Sequence, residues 1–252
     1  MNKKIYKFIS YCMLPLIMSS SAKCELNLKI KREIANLVKL DLSSIGKGEY
    51  GKVYKFEKYP EYAVKKHNSD DKEYDISTKL IGVQHENLMQ VVDVINEEIS
   101  VYKYIKGNIL KYEICKINMS LKHFLEKWCI GLIDAMRLFS EKTEMQLDDI
   151  YDENIMITGT KEEPIPILID FSLGYQIEQG NEKCFNGTFI EIAKILYHTI
   201  DNEHVKSTDN NVNIFKEVKE YLASLKNPKY YPTINEVINK FKEFSANCQS
   251  NN

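Results

Sequence analysis

Three oxygen-bearing side chains within one short stretch could do metal and proton chemistry together: Asp149, Asn154 and Asp170. They sit in LDDIYDENIMITGTKEEPIPILIDFSLG, residues 147–174. An Asp and an Asn offer hard oxygens of the kind Mg²⁺ takes in small number, completing its shell with water and phosphate oxygens. A further Asp nearby can accept a proton from a hydroxyl. Together these are the means of phosphoryl transfer, in which positioning and charge neutralisation do most of the work. The blander account of the same residues is an acidic surface hairpin.

Convergence needs elements that hold the three side chains. Ile155-Met156-Ile157 and the apolar run 165–169 are short and are separated by Gly159 and Pro164. Short apolar runs bounded by Gly and Pro read as strands. The pattern is loop, strand, tight turn, strand, loop, and a hairpin sets the two loops side by side.

Upstream lies a glycine-rich run, Ile45-Gly46-Lys47-Gly48-Glu49-Tyr50-Gly51-Lys52-Val53, followed by Ala63-Val64-Lys65. Alternation around 53–56 and 62–65 is strand-like, with Tyr59-Pro60-Glu61 as the turn. Glycines at a hairpin tip let the backbone close over phosphate oxygens. No helix follows at once, which argues against a dinucleotide-binding fold. Glu73, Ile76, Leu80 and Ile81 give 70–81 a helical spacing, and 87–105 reads as two strands around Asn96-Glu97-Glu98. Over 119–140 apolar residues recur at a period of 3.6, the mark of a long buried helix. Residues 26–40 read as a lead-in followed by a helix or a first strand. The run FIEIAKILYHTI is an amphipathic helix, and 214–225 and 234–244 are helices separated from it by a polar loop over 204–213. A frayed tail covers 246–252.

The motifs, in this order, resemble those of protein kinases. Asp149-Ile150-Tyr151-Asp152-Glu153-Asn154 is similar to the catalytic loop D-x-x-x-x-N, and Asp170-Phe171-Ser172 to the metal-binding D-F-G. The glycine run matches G-x-G-x-x-G-x-V without a gap, and Ala63-Val64-Lys65 the A-x-K strand. The resemblance spans about 40–245. It implies an α+β, bilobal protein-kinase-like fold with a β-rich small lobe (23–106) and a mainly helical, shortened large lobe (107–245).

It also implies ATP and Mg²⁺ as cofactors. Ile45, Gly46, Lys47, Gly48, Glu49, Tyr50, Gly51, Val53 and Ala63 would surround the nucleotide. Lys65 would contact its phosphates and pair with Glu73, Asp75 being the runner-up. Lys103-Tyr104-Ile105-Lys106-Gly107 is similar to the hinge between lobes, whose backbone would meet the adenine edge, with Tyr102 narrowing the pocket behind it. Asp149 would accept the hydroxyl proton, and Asn154 and Asp170 would hold Mg²⁺.

Departures from the family pattern limit the comparison. Leu147-Asp148 stand where kinases carry His-Arg, and Tyr151 replaces the lysine two residues after the catalytic Asp. Ser172 replaces the Gly of D-F-G. No A-P-E sequence occurs, and Tyr231 stands where its arginine partner would be; the double loss is consistent, because losing one partner alone strands a buried charge. The expectation is a compact Ser/Thr protein kinase acting on a protein substrate, with a partner protein to activate it or present that substrate. The alternatives are a pseudokinase scaffold and a small-molecule kinase.

The formal net charge of −2 gives no basic footprint for nucleic acid. Lys3 and Lys4, an apolar core over 8–18 and the small run Ser19-Ser20-Ser21-Ala22 have the layout of a secretory signal peptide over 1–22. No membrane span is expected after its removal, and the chain reads as an exported protein acting in a host cell. Of the six cysteines Cys12 lies in that leader, and the remaining odd number, without C-x-x-C, gives neither a disulfide framework nor a zinc site.

Overall fold

Residues 26–40, left open between helix and strand, fold as a helix. Ile30, Ile34, Leu37 and Val38 share one face, and Asn27 caps the start by accepting from the Ile30 N–H at 3.0 Å. The result is helix α1 (Leu28–Lys39). In the computed structural model the described residues are 26–41, 44–68, 73–147, 150–171, 174–176, 185–227 and 232–248. The leader over 1–22, Asp149 and Tyr231 lie outside them.

Helix α1 lies on a five-stranded sheet in which every neighbouring pair is antiparallel. Its strands are β1 (Ser44–Gly48), β2 (Gly51–Phe56), β3 (Tyr59–His67), β4 (Val91–Asn96) and β5 (Ile99–Lys103), in the order β1-β2-β3-β5-β4. Helix α2 (Glu73–Leu80) connects β3 to β4. The turn expected at Tyr59-Pro60-Glu61 lies instead at Glu57-Lys58, closed by the Phe56–Tyr59 pair. Pro60 sits inside β3, ahead of Tyr62, where the pairing with β5 begins, so its missing N–H costs no ladder bond on that side.

Side chains alternate across the sheet. Tyr54, Val64 and Val101 join Ile34 and Val38 in one apolar cluster. Tyr102 and Val91 face the other way and join a larger cluster with Ile76, Leu80 and most of the C-terminal half. The larger cluster thus crosses position 106.

The chain then forms β6 (Asn108–Ile109), the single turn α3 (Leu110–Glu113) and β7 (Met119–Ser120). The long buried helix starts two residues later than its periodicity predicts, because Met119 and Ser120 pair in parallel with Val205 and Lys206. It runs continuously through α4 (Leu121–His123), a π-helical stretch Phe124–Ile130 and α5 (Gly131–Thr143). Leu121, Phe124, Leu125, Trp128, Leu132, Ile133, Met136 and Phe139 all lie in its core face, as the period requires.

Beyond it come β8 (Met145–Leu147), β9 (Ile155–Gly159), β10 (Pro164–Leu168), β11 (Gly174–Gln176), α6 (Phe185–Asp201), β12 (Val205–Lys206), α7 (Val212–Leu225) and α8 (Ile234–Asn247). The polar segment 204–213 is therefore not all loop; it holds β12 and a 3-10 turn at Asp209–Asn211. Ala246 and Asn247, expected in a frayed tail, are helical. Helix α8 opens on a Thr233–Glu236 capping box and continues to Asn247, because Phe241 and Phe244 are buried and Ser245 Oγ donates to Glu126 at 2.8 Å. The molecule is α+β, with one antiparallel five-stranded sheet and several helices. Among the described residues no helix is long and apolar enough to cross a membrane.

Candidate functional site

The glycine run forms the β1–β2 hairpin, with Glu49-Tyr50 at its tip. Gly51 has φ 149°, and a Cβ there would come within 2.2 Å of the Lys66 carbonyl oxygen, so only glycine lets β2 pass β3 this closely. Asn68 steadies the tip from the end of β3: its N–H donates to Tyr50 O at 3.2 Å, and its side chain donates to Glu49 O.

Lys65 leaves β3 on the side away from α1. Glu73, in the first turn of α2, accepts from its ammonium, and Asp170 Oδ1 accepts from it at 2.8 Å. The lysine side chain is 8% exposed, Glu73 fully buried and Asp170 31% exposed. Burial alone would lower the Lys65 pKa; the carboxylates of Glu73 and Asp170 overrule it and hold the ammonium above its ordinary value. Glu73, not Asp75, is the partner of the lysine. Tyr102 donates to the second oxygen of Glu73 at 2.7 Å.

The β9–β10 hairpin brings Asn154 and Asp170 together as its sequence predicts. Its register runs from Gly159–Pro164 at the turn to Ile155–Leu168 at the open end. The Ile169 N–H donates to Asn154 O at 2.9 Å, which joins the two loops just beyond the strands. A 3-10 turn, Asp152–Asn154, leads into β9. Asp170 has φ 64°, a left-handed conformation that Asp tolerates better than most residues. Pairing of Gly174 with Leu147 draws the backbone on either side of this hairpin together.

These elements enclose a cleft of about 450 Å³. Ile45, Gly46, Lys47, Gly48, Glu49, Tyr50 and Gly51 line it from the hairpin. Val53, Ala63, Lys65, Lys103 and Ile105 line it from the sheet and the segment after β5, and Asn154 and Asp170 from below. Glu73 stands behind Lys65 rather than in the wall. Asp149 lies outside the described residues.

Sequence reasoning missed several wall residues, among them Met89, Met156 and Ile169. Met156 was legible: in β9 Ile155 and Ile157 are buried while Met156 is not, so its face points away from the core and into the cleft. Val53 and Ala63 on one side and Met156 and Ile169 on the other make an apolar slot suited to a flat heterocycle. The polar end carries Lys65, Asn154 and Asp170. An Asn and an Asp oxygen beside a fixed ammonium fit a hydrated Mg²⁺ bound with phosphate.

Tyr151, where the resemblance to kinases would expect a lysine, is 53% exposed. A second cavity of about 400 Å³ brings Lys106, Lys116 and Lys161 near Glu113 but includes none of Lys65, Asn154 or Asp170. The polar residues expected from the sequence therefore line the first. A scan against models of known protein families returned no match, and a search of curated proteins returned none either, so the reading of the cleft rests on its own residues.

Proposed function

We propose that the chain is a compact, bilobal phosphotransferase of the protein-kinase-like class, transferring the γ-phosphoryl of ATP to Ser or Thr hydroxyls of a protein substrate. One observation carries the reading: Lys65, fixed between Glu73 and Asp170, stands at the polar end of a cleft that also has a glycine hairpin and an apolar slot. In this reading the slot takes the adenine, the backbone of Lys103 to Ile105 meets its edge, and the hairpin covers the phosphates. Lys65 orients the inner phosphates. Asn154 and Asp170 would hold Mg²⁺, which when bound neutralises phosphate charge. Asp149 accepts the proton of the attacking hydroxyl. The leader-like 1–22 makes the protein an exported one, acting in a host cell with a partner that presents its substrate.

Exposed Tyr151 favours a second reading, a nucleotide-binding scaffold without turnover, since the cation expected there is gone. Transfer from γ-labelled ATP with Mg²⁺ separates the two. The phosphotransferase reading expects labelling of the chain itself or of protein substrates, lost in Asp149→Asn and Asp170→Ala. Nucleotide binding without transfer favours the scaffold, and labelling of small alcohols alone favours a small-molecule kinase. A parent protein that binds no nucleotide, with or without Mg²⁺, defeats all three. Mass spectrometry of the native protein tests export: an intact 1–22 segment counts against it.

A further inference from the structure

Behind Lys65 the cleft ends in a buried polar cluster rather than in apolar packing. Glu73 and Ser77 have no exposed surface, and Tyr102 keeps 2%. Glu73 divides its oxygens: Oε2 takes the Lys65 ammonium, and Oε1 takes the Tyr102 hydroxyl at 2.7 Å. Ser77 Oγ lies 3.0 Å from that hydroxyl. A phenol has one hydrogen, and the carboxylate receives it, so Ser77 is the donor to Tyr102. Ser77 follows Glu73 by one helical turn, and the two project from the same face of α2. Tyr102 comes from β5, where it pairs with Ala63. One hydroxyl therefore ties helix to sheet at the point where the helix presents its carboxylate to Lys65.

We propose that Tyr102 is a positioning residue for Lys65: its hydroxyl fixes Glu73 so that Oε2 holds the ammonium in place for phosphate, and α2 stays docked through the chain's own core without a partner or a modification. The proposal rests on the phosphotransferase reading. Two carboxylates compete for Lys65, Glu73 from behind and Asp170 from the cleft. Removing the phenol hydrogen takes one donor from Glu73 Oε1, and the carboxylate then turns toward its other neighbours, among them Lys65 and His67 Nδ1, the latter 3.5 Å from Oε2. The ammonium loses its fixed orientation, while the Tyr102 ring still lines the slot.

The test compares the full chain with Tyr102→Phe, which deletes only the oxygen. Calorimetry with ATP·Mg²⁺ and with adenosine is expected to show affinity for ATP falling about tenfold, the size of one charged hydrogen bond, with adenosine unchanged. Adding Tyr102→Phe to Glu73→Gln is expected to cost no further ATP affinity, because the hydroxyl acts through that carboxylate. Equal weakening of ATP and adenosine, unchanged ATP affinity, or additive losses in the double variant overturn the proposal. Should Tyr102→Phe not fold, Ser77→Ala with Ser100→Ala removes the two serine donors that orient the hydroxyl. A smaller loss confined to ATP then supports the proposal, and unchanged ATP affinity overturns it. A parent chain that binds neither ligand defeats the phosphotransferase reading itself, an outcome distinct from a parent that binds both and a variant that behaves like it.

Discussion

Asp93 is the residue whose removal should most directly loosen the sheet that carries Lys65. It is 2% exposed, in the middle of an otherwise apolar strand. The pairing of β4 with β5 shifts between Val91 and Asp93, a bulge of the kind that re-aims a side chain. The carboxylate accepts from the Leu26 N–H at 2.7 Å, the Lys31 ammonium at 2.9 Å and its neighbour's Val94 N–H at 2.8 Å. It thereby fixes the start of α1 on the sheet. Each hydrogen bond to a charged group is worth about 1.5–3 kcal/mol, but Lys31 is 22% exposed and can turn to water when its partner goes. The Leu26 N–H cannot turn so easily, because Leu26 is buried. Asp93→Ala is therefore expected to cost about 3–5 kcal/mol, a fall in melting temperature of roughly 6–20 °C for a chain of this size. Lys31→Ala should cost about 1 kcal/mol, and the double variant less than the sum, since the two share one contact. Urea unfolding of the purified chain measures all three. A loss under about 0.5 kcal/mol for Asp93→Ala, or strict additivity with Lys31→Ala, refutes the idea that this carboxylate anchors the helix.

The glycine hairpin separates folding from binding. A Cβ at Gly48 meets nothing within 4 Å, so Gly48→Ala should leave urea unfolding unchanged while weakening ATP if backbone approaches phosphate there; Gly51→Ala, aimed at the Lys66 carbonyl, should destabilise by at least about 2 kcal/mol. Lys47 lines the cleft from an exposed strand, and Lys47→Gln is expected to weaken ATP more than ADP if this cation serves the terminal phosphate, with Lys47→Arg restoring it; equal loss for both nucleotides counts against that role. Because Lys65 has its folded pKa raised above its ordinary 10.5, the stability it contributes is complete below that value and is lost as pH rises through the folded one; alkaline unfolding should start earlier in the parent than its neutral stability alone predicts, and Lys65→Met should remove that steepness. In hydrogen exchange, amides of β1 should exchange faster than those of β3 and β5 and gain protection with ATP·Mg²⁺; slow exchange along β1 in the free protein contradicts this.

Local pattern made much of the site readable. The glycine spacing, the apolar pair around Gly159 and Pro164 and the helical placing of Glu73 each point to one element, and those elements bring Lys65, Asn154 and Asp170 to one cleft. What was not readable depends on distant partners. Whether 26–40 forms helix or strand was settled by a sheet to pack on and by Asp93, 67 positions from Leu26. The start of the long helix was displaced by a two-residue pairing with a strand about 85 positions away, which no periodicity carries. Pro60 suggested a turn by composition, yet its place ahead of the β5 pairing lets the strand continue through it. The Tyr102–Glu73 bond could not be foreseen either, since a tyrosine in an apolar strand reads as core until its hydroxyl finds a partner.

The distribution of core explains where this cleft can open. The inner face of the sheet and α2 do not form a separate core: Ile76, Leu80, Val91 and Tyr102 belong to the same cluster as Trp128, Phe139 and Phe171. Asn87 reinforces the junction. Its side-chain amide donates to Lys127 O at 3.0 Å and to Pro166 O at 2.7 Å, while its own carbonyl accepts from the Leu168 N–H at 2.9 Å. Gly131 lets the long helix come close, for a Cβ there would lie 2.3 Å from the Asn87 side chain. Rotating the sheet against the helices would break these bonds and expose that apolar face, at a cost far above the few kcal/mol that a ligand can supply through differential binding. Strand β1 is bound on one side only, to β2, and is exposed along its whole length. Lifting it breaks only its ladder with β2. Under the proposed phosphotransferase reading, nucleotide exchange falls to the glycine hairpin, with Lys65, Glu73 and Tyr102 staying in place while it moves.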